Sequence, residues 1–112
     1  MEAEKARELL ARERQRIERE LADLGVGADS ELSHQDQHPA DEGSELFQEE
    51  RDAGTRERLR RDLEAVARAE KRLEEGTYGL SVASGEPIPD ERLEAYPTAE
   101  RTVDEQRRYE RG

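Results

Sequence analysis

Residues 74–106 read EEGTYGLSVASGEPIPDERLEAYPTAERTVDEQ, and the character of the chain changes inside this stretch. Up to Glu75 the sequence is charged, with apolar residues at regular helical spacing. Gly76 ends that pattern. Beyond it, glycine and proline break the chain every few residues, and Leu80, Val82, Ile88, Leu93 and Val103 fall on neither a helical nor a strand period. This predicts a small turn-rich knob over about 77–99, carrying Tyr78 and Tyr96. The closing ERTVDEQRRYERG, 100–112, reads as a final short helix.

Working backwards, Leu59, Val66 and Leu73 are seven apart, with Leu63 between them and Leu46, Phe47 and Ala53 upstream. That spacing predicts a helix over 44–75. At about 1.5 Å per residue it is about 48 Å long. So thin a stripe on so long a helix needs a partner, because helix stability comes mostly from packing. The partner is at the start of the chain. Ala3, Leu10, Ile17 and Leu24 repeat every seven residues, widened by Ala6, Leu9 and Leu21, which predicts a helix over 2–24. Arg16 and Glu20 form an i,i+4 charge pair on its surface. Gly25 stops it, and Ser30 can cap a short turn over 31–34. In DQHPADEGSE, 36–45, Pro39 disfavours helix at His38, and Asp41 or Ser44 can cap the second long helix. The expected fold is mainly α. A long antiparallel helical hairpin (coiled coil) occupies 1–75 with its tip near 36–43, and the knob and short C-terminal helix occupy 76–112.

Composition agrees with that picture. Of 112 residues, 44% are charged and 31% hydrophobic, with one Phe and no Trp, so a thick core is not expected. Charges of both signs alternate along the helices, as on solvated coiled-coil faces. The net charge of −11 disfavours phosphate backbones and hence direct nucleic-acid binding. A protein partner with a basic groove or channel fits better. With no cysteine there is no disulfide, no thiolate nucleophile and no cysteine-bound zinc. No segment has the length of an apolar signal or membrane span, so a cytoplasmic location is expected. No Gly-rich phosphate loop precedes a helix, and His34 and His38 stand near no nucleophile. No catalytic residue is therefore assigned. The run Arg56, Arg58, Arg60 and Arg61 reads as a solvated helix face.

Gly76, Thr77, Tyr78, Gly79, Gly85, Ile88, Arg92, Leu93, Ala95 and Pro97 carry a resemblance. In sequence and spacing they are similar to the C-terminal zinc finger of the DksA/TraR family of RNA polymerase regulators. In that family the pattern runs Gly-Thr-Tyr-Gly-x-Cys-x-x-Cys-Gly-x-x-Ile, then Arg-Leu-x-Ala-x-Pro, then a second Cys-x-x-Cys. Here the four cysteine positions fall on Ser81, Ser84, Thr102 and Glu105. Their spacing is that of a four-cysteine zinc site. Two serines, a threonine and one glutamate are a poor tetrahedral donor set, so zinc is not expected and no metal ligand is assigned. The Ser and Thr side chains can hydrogen-bond to one another or to backbone. The knob is then expected to hold by contacts among Tyr78, Leu80, Ile88, Leu93, Tyr96 and Val103, leaning on the hairpin base.

The stretch Asp36-Gln37-His38-Pro39-Ala40-Asp41 resembles the Asp-x-His-Pro-Ala-Asp hairpin tip of a bacterial subgroup of the same family. Acidic tip residues in the family reach into the secondary channel of RNA polymerase. The resemblance thus implies a partner-binding tip at Asp36, His38, Asp41 and Glu42. Three residues before Asp41 stands His38 rather than an acid, and two residues after it stands Gly43 rather than alanine. A structural reading competes, in which Asp41 and Ser44 only cap the second helix. A metal site among these four residues matches no known ligand spacing.

The resemblance implies a transcription regulator, bound to RNA polymerase and acting without chemistry of its own. Because the thin apolar seam is already used within the hairpin, a monomer is expected. Family members also respond to guanosine tetraphosphate in the stringent response, which makes that nucleotide a candidate effector. The rival readings are an interaction module of the same fold with a changed partner, and a self-associating coiled coil.

Overall fold

The computed structural model describes residues 1–25 and 42–112, and for 42–47 it describes the backbone alone. Four helices succeed one another among the described residues: α1 (Ala3–Asp23), α2 (Glu42–Glu75), α3 (Asp90–Ala95) and α4 (Val103–Arg111). The two long helices match the spans read from periodicity to within two residues. Beside them, the described residues hold no strand, only an isolated antiparallel bridge between Leu80 and Pro87. The chain is a helical hairpin, then a small non-helical knob and a short closing helix. It divides into two compact units, Arg14–Glu64 and Met1–Glu13 with Ala65–Gly112.

In the first unit Ile17 and Leu59 are wholly buried, while Leu21, Leu24 and Leu63 are half-buried. Each fully buried side chain of this size contributes about 1.5–3 kcal/mol. The remaining surface is charged. Arg14 pairs with Glu18 at 3.7 Å, Arg16 with Glu20 at 2.5 Å and Arg61 with Glu57 at 3.7 Å. Exposed pairs of this kind contribute a few tenths of a kcal/mol each, roughly, and keep the rod soluble more than they hold it folded. Arg58, Arg60 and Arg61 are exposed and Arg56 is half-buried, in keeping with a solvated face.

In the second unit the seam passes to Ala6, Leu10, Val66 and Ala69, all buried. The strict seven-residue repeat does not survive here. Ala3 is exposed, whereas Ala6 and Ala69 are wholly buried. The Met1 amino group lies 3.1 Å from Asp90, and Lys5 pairs with Glu94. The start of α1 therefore meets the chain beyond the end of α2, which is the antiparallel arrangement.

Gly76 ends α2 with φ near 81°. Thr77 N–H and Tyr78 N–H both donate to the Arg72 carbonyl, at 2.9 and 3.2 Å, which satisfies a carbonyl the helix leaves open. In the knob, Ile88, Leu93 and Ala99 form a buried cluster with Met1 and Tyr78 packed against it. The Tyr78 hydroxyl donates to the Pro97 carbonyl at 2.7 Å. Burial pushes the Tyr78 phenol above its ordinary value, with Asp90 adding to the rise and Arg72 opposing it, so the donor stays protonated. Three residues expected in this core are not in it. Leu80, Tyr96 and Val103 are exposed, because the cluster is too small to cover them. Ala99 takes a place that apolar size alone did not mark.

Candidate functional site

The positions matching the family's zinc ligands come from two places. Ser81 and Ser84 lie on a tight turn after α2, and Thr102 and Glu105 lie at the entrance to α4. The turn is held by backbone bonds. Ser81 N–H donates to the Glu86 carbonyl at 2.8 Å and Gly85 N–H donates to the Ser81 carbonyl at 2.9 Å. Gly85 adopts φ near 77°, a region that favours glycine and that lets the turn close directly after Ser84.

The side chains are saturated with partners. Ser81 Oγ accepts from the backbone N–H of Ala83 at 3.0 Å and of Ser84 at 3.2 Å. Ser84 Oγ accepts from Glu86 N–H at 3.2 Å. Across the site, Thr102 is the N-cap of α4. Its Oγ1 accepts from Glu105 N–H at 3.2 Å, and its own N–H donates to Glu105 Oε1 at 2.9 Å, a complete capping box. The Ser81 and Ser84 hydroxyls favour the charged form of the Glu105 carboxyl.

Its environment reflects these contacts. Glu105 is only 8% exposed and Ser81 5%. A buried carboxylate is costly unless its lone pairs are filled. Here the Ser81 and Ser84 hydroxyls, then the Thr102 N–H, outweigh burial and hold the carboxyl down at about 2. The first-turn location adds the favourable end of the α4 dipole.

A second ion cluster fastens the segment between the two halves of the site. Val82 N–H donates to the Glu100 carbonyl at 2.9 Å, and the Glu100 carboxylate receives Arg68 and Arg72 from α2, each at 3.0 Å. Burial pushes Glu100 up, but the two arginines overcome it and the net shift is downward. The Nε and the second terminal nitrogen of Arg72 are buried without a partner among the described residues.

The donor set does not suit zinc. A structural zinc site uses four nitrogen or sulfur ligands, mostly anionic thiolates. Here the one anion accepts the Thr102 N–H, and the serine oxygens accept backbone N–H groups. Among the described residues no group of three or more His, Cys, Asp or Glu could hold a metal ion.

Residues 81–111 match the family model described as prokaryotic dksA/traR C4-type zinc finger, starting at the first of these four positions. The fold as a whole is similar to the solved structure of transcription factor DksA2 from Pseudomonas aeruginosa. That likeness has a TM-score of 0.74 and 31% identity, and covers 97% of this chain and 83% of that one. The chain belongs to the DksA/TraR family. Within the family, it is 36% identical over 95 residues to general stress protein 16O of Bacillus subtilis, covering 85% of this chain and 54% of that protein. It is 46% identical over 57 residues to the RNA polymerase-binding transcription factor DksA of Caulobacter vibrioides, covering 51% of this chain and 40% of that protein. The chain therefore spans about half or less of the length of these curated relatives. Against the DksA/TraR cysteine pattern, this member keeps the turn and the helix entrance and changes the donors.

Of the tip residues read from the sequence, Asp36, His38 and Asp41 lie outside the described residues, as do Ser30 and the turn over 31–34; Glu42 is the first residue of α2. Of the four positions read from the family spacing, Ser81 and Ser84 share the turn after α2, and Thr102 and Glu105 share the capping box of α4. Sequence reasoning missed the capping box of Thr102 and Glu105, and missed the Arg68–Glu100–Arg72 cluster. The first had a signal, since Thr102-Val103-Asp104-Glu105 is the Ser/Thr-x-x-Glu pattern of a capping box. The second had none, because Glu100 sits in chain with no period.

Proposed function

We propose that this chain is a transcription regulator that binds RNA polymerase through the secondary channel, without catalysis and without direct contact to nucleic acid. The observation that carries the reading is the likeness to transcription factor DksA2 over nearly the whole chain. The relative from Caulobacter vibrioides, named as RNA polymerase-binding, supports the same partner. In this reading the hairpin, 1–75, presents a tip near 36–43 whose contacts are Asp36, His38, Asp41 and Glu42. The knob and last helix, 76–112, grip the channel rim. The net charge of −11 suits a basic channel, since complementary potentials speed encounter. The chain acts as a cytoplasmic monomer, with guanosine tetraphosphate as the candidate effector. Among the described residues no helix is long and apolar enough to cross a membrane.

The test is direct binding of the purified protein to core RNA polymerase, in competition with a known secondary-channel factor and with guanosine tetraphosphate present or absent. Displaceable binding that weakens in Asp41→Asn and Asp36→Asn is the expected result. Absence of binding at micromolar concentration, with the protein folded by circular dichroism, overturns the reading. It would leave a DksA-type fold that has changed its partner.

A further inference from the structure

Gly54 stands in the interior of α2, and nothing packed around it calls for a glycine. Inside a helix, glycine is explained by a close neighbour that a Cβ would strike, or by a left-handed backbone. Neither applies here. A Cβ at Gly54 would meet nothing within 4 Å, and Gly54 is not among the glycines with positive φ. What remains is its cost to the helix, where alanine is favoured roughly fivefold over glycine. Thr55 beside it is β-branched and also a weak helix former. Burial does not compensate. From Gln48 to Arg58, about three turns, no side chain is buried, and Leu59 is the first that is.

We propose that Gly54 is a joint in α2, at which the helix bends and locally opens while the turns from Leu59 to Glu64 stay packed, so that the segment 42–53 can be re-aimed. Side-chain bracing stops on either side of it. Gln48 donates to Asp52 at 3.0 Å before the glycine, and Arg61 pairs with Glu57 at 3.7 Å after it. Among the described residues no side-chain hydrogen bond or ion pair crosses Gly54. The end of α1 falls at the same level. Asp23, its last residue, lies six positions after the buried Ile17, and Ala53 lies six positions before the buried Leu59. In an antiparallel pair anchored at Ile17 and Leu59, α1 therefore runs out beside Gly54. Regions with few buried contacts and exposed backbone bonds open at the lowest cost, and a glycine in such a region sets where a bend occurs. The leverage is large. Glu42, the first residue of α2, lies about 18 Å beyond Gly54 at about 1.5 Å per residue, so a bend of about 20° displaces it by about 6 Å.

The joint needs no partner, so it is tested on the purified 112-residue chain and stands or falls separately from polymerase binding. The chain has no cysteine, which leaves Gln48→Cys with Glu64→Cys, both at exposed positions, as the only attachment points for two spin labels. A straight helix sets them about 24 Å apart. Pulsed double electron resonance should give a broad distance distribution extending to shorter values, and adding Gly54→Ala should narrow it. Equal widths with and without Gly54→Ala would overturn the joint. Hydrogen exchange followed by NMR locates the opening. In the parent chain the amides of 51–58 should exchange faster than those of 59–64. Gly54→Ala should slow the first group roughly fivefold, the difference in helix preference between the two residues, and leave the second nearly unchanged. One common rate for both groups, or a slowing shared equally between them, would mean that α2 opens only as a whole, and the joint would not exist. Because Gly54→Ala favours the helix, a failure to fold does not imitate either result.

Discussion

The rod and the knob of this small protein are built on opposite terms. Among the described residues of the unit Arg14–Glu64, the fully buried side chains are Ile17 and Leu59, and polar residues pair with one another on the outside. In the knob, the buried set mixes Ile88, Leu93 and Ala99 with Ser81, Thr98 and Glu105. One region buries oil and exposes charge, while the other buries a carboxylate and leaves Leu80, Val82 and Tyr96 in water. Apolar burial tolerates change as long as volume is kept, whereas a buried polar network depends on every member. The rod should therefore fail gradually and the knob abruptly.

The two regions can be followed separately in solution. All three tyrosines, Tyr78, Tyr96 and Tyr109, fall after Gly76, and the chain has no tryptophan. Near-ultraviolet signals thus report the knob and α4, while the far-ultraviolet helix signal reports mainly α1 and α2. The largest effects are expected from the apolar centres. Leu59→Ala should cost about 3 kcal/mol in a denaturant melt read at the helix band, and Leu93→Ala a similar amount read by the tyrosines. If Leu93→Ala leaves the tyrosine signal intact, the knob does not depend on its apolar cluster, and the comparison shifts further toward polar bonding.

Acid should separate the regions next. Glu105 and Glu100 both titrate lower in the folded chain than a free carboxylate does. A group lowered on folding contributes stability that is complete above its unfolded value and lost as pH falls through the folded one. For Glu105 that window runs from the ordinary 4.5 down to about 2. The tyrosine signal should weaken across it, and Glu105→Gln should flatten the response relative to the parent protein. A knob that titrates identically in both would detach the acid response from this carboxylate. The smallest effect is expected on the rod surface. Arg16→Ala should cost about 0.3–0.5 kcal/mol, and less at high salt, because its partner Glu20 is exposed. A loss well above about 1 kcal/mol would mean that the rod's surface charges act as a network rather than as isolated pairs.

The same contrast governs how much of the molecule is legible in its sequence. The long helices were legible because a seven-residue apolar spacing has few other structural meanings, and Leu10, Ile17, Leu59 and Val66 were read correctly as the seam. Ala6 belongs to the stripe read from the sequence, but Ala69 carries no such mark, since a small residue gains its place from how closely two helices approach, which spacing alone does not fix. In the knob, the family spacing located Ser81, Ser84, Thr102 and Glu105, but size and polarity placed Leu80, Tyr96 and Val103 inside when they are outside. A core of three small or medium residues has no periodic signature, and its membership is decided by turns whose closure depends on hydrogen bonds. Arg72 illustrates the limit. In sequence it is one more arginine on a charged helix, and only its meeting with Glu100, 28 residues later, buries it.

The carboxylate of Glu105 belongs to the chain whose helix entrance it closes, and this sets what that entrance depends on. A metal-held finger is a binding equilibrium, so its folded fraction rises and falls with free metal concentration by mass action. A tethered acceptor is always present at the same effective concentration. The entrance of α4 is therefore capped by acceptors that are made with the chain and stand at the same effective concentration wherever it folds.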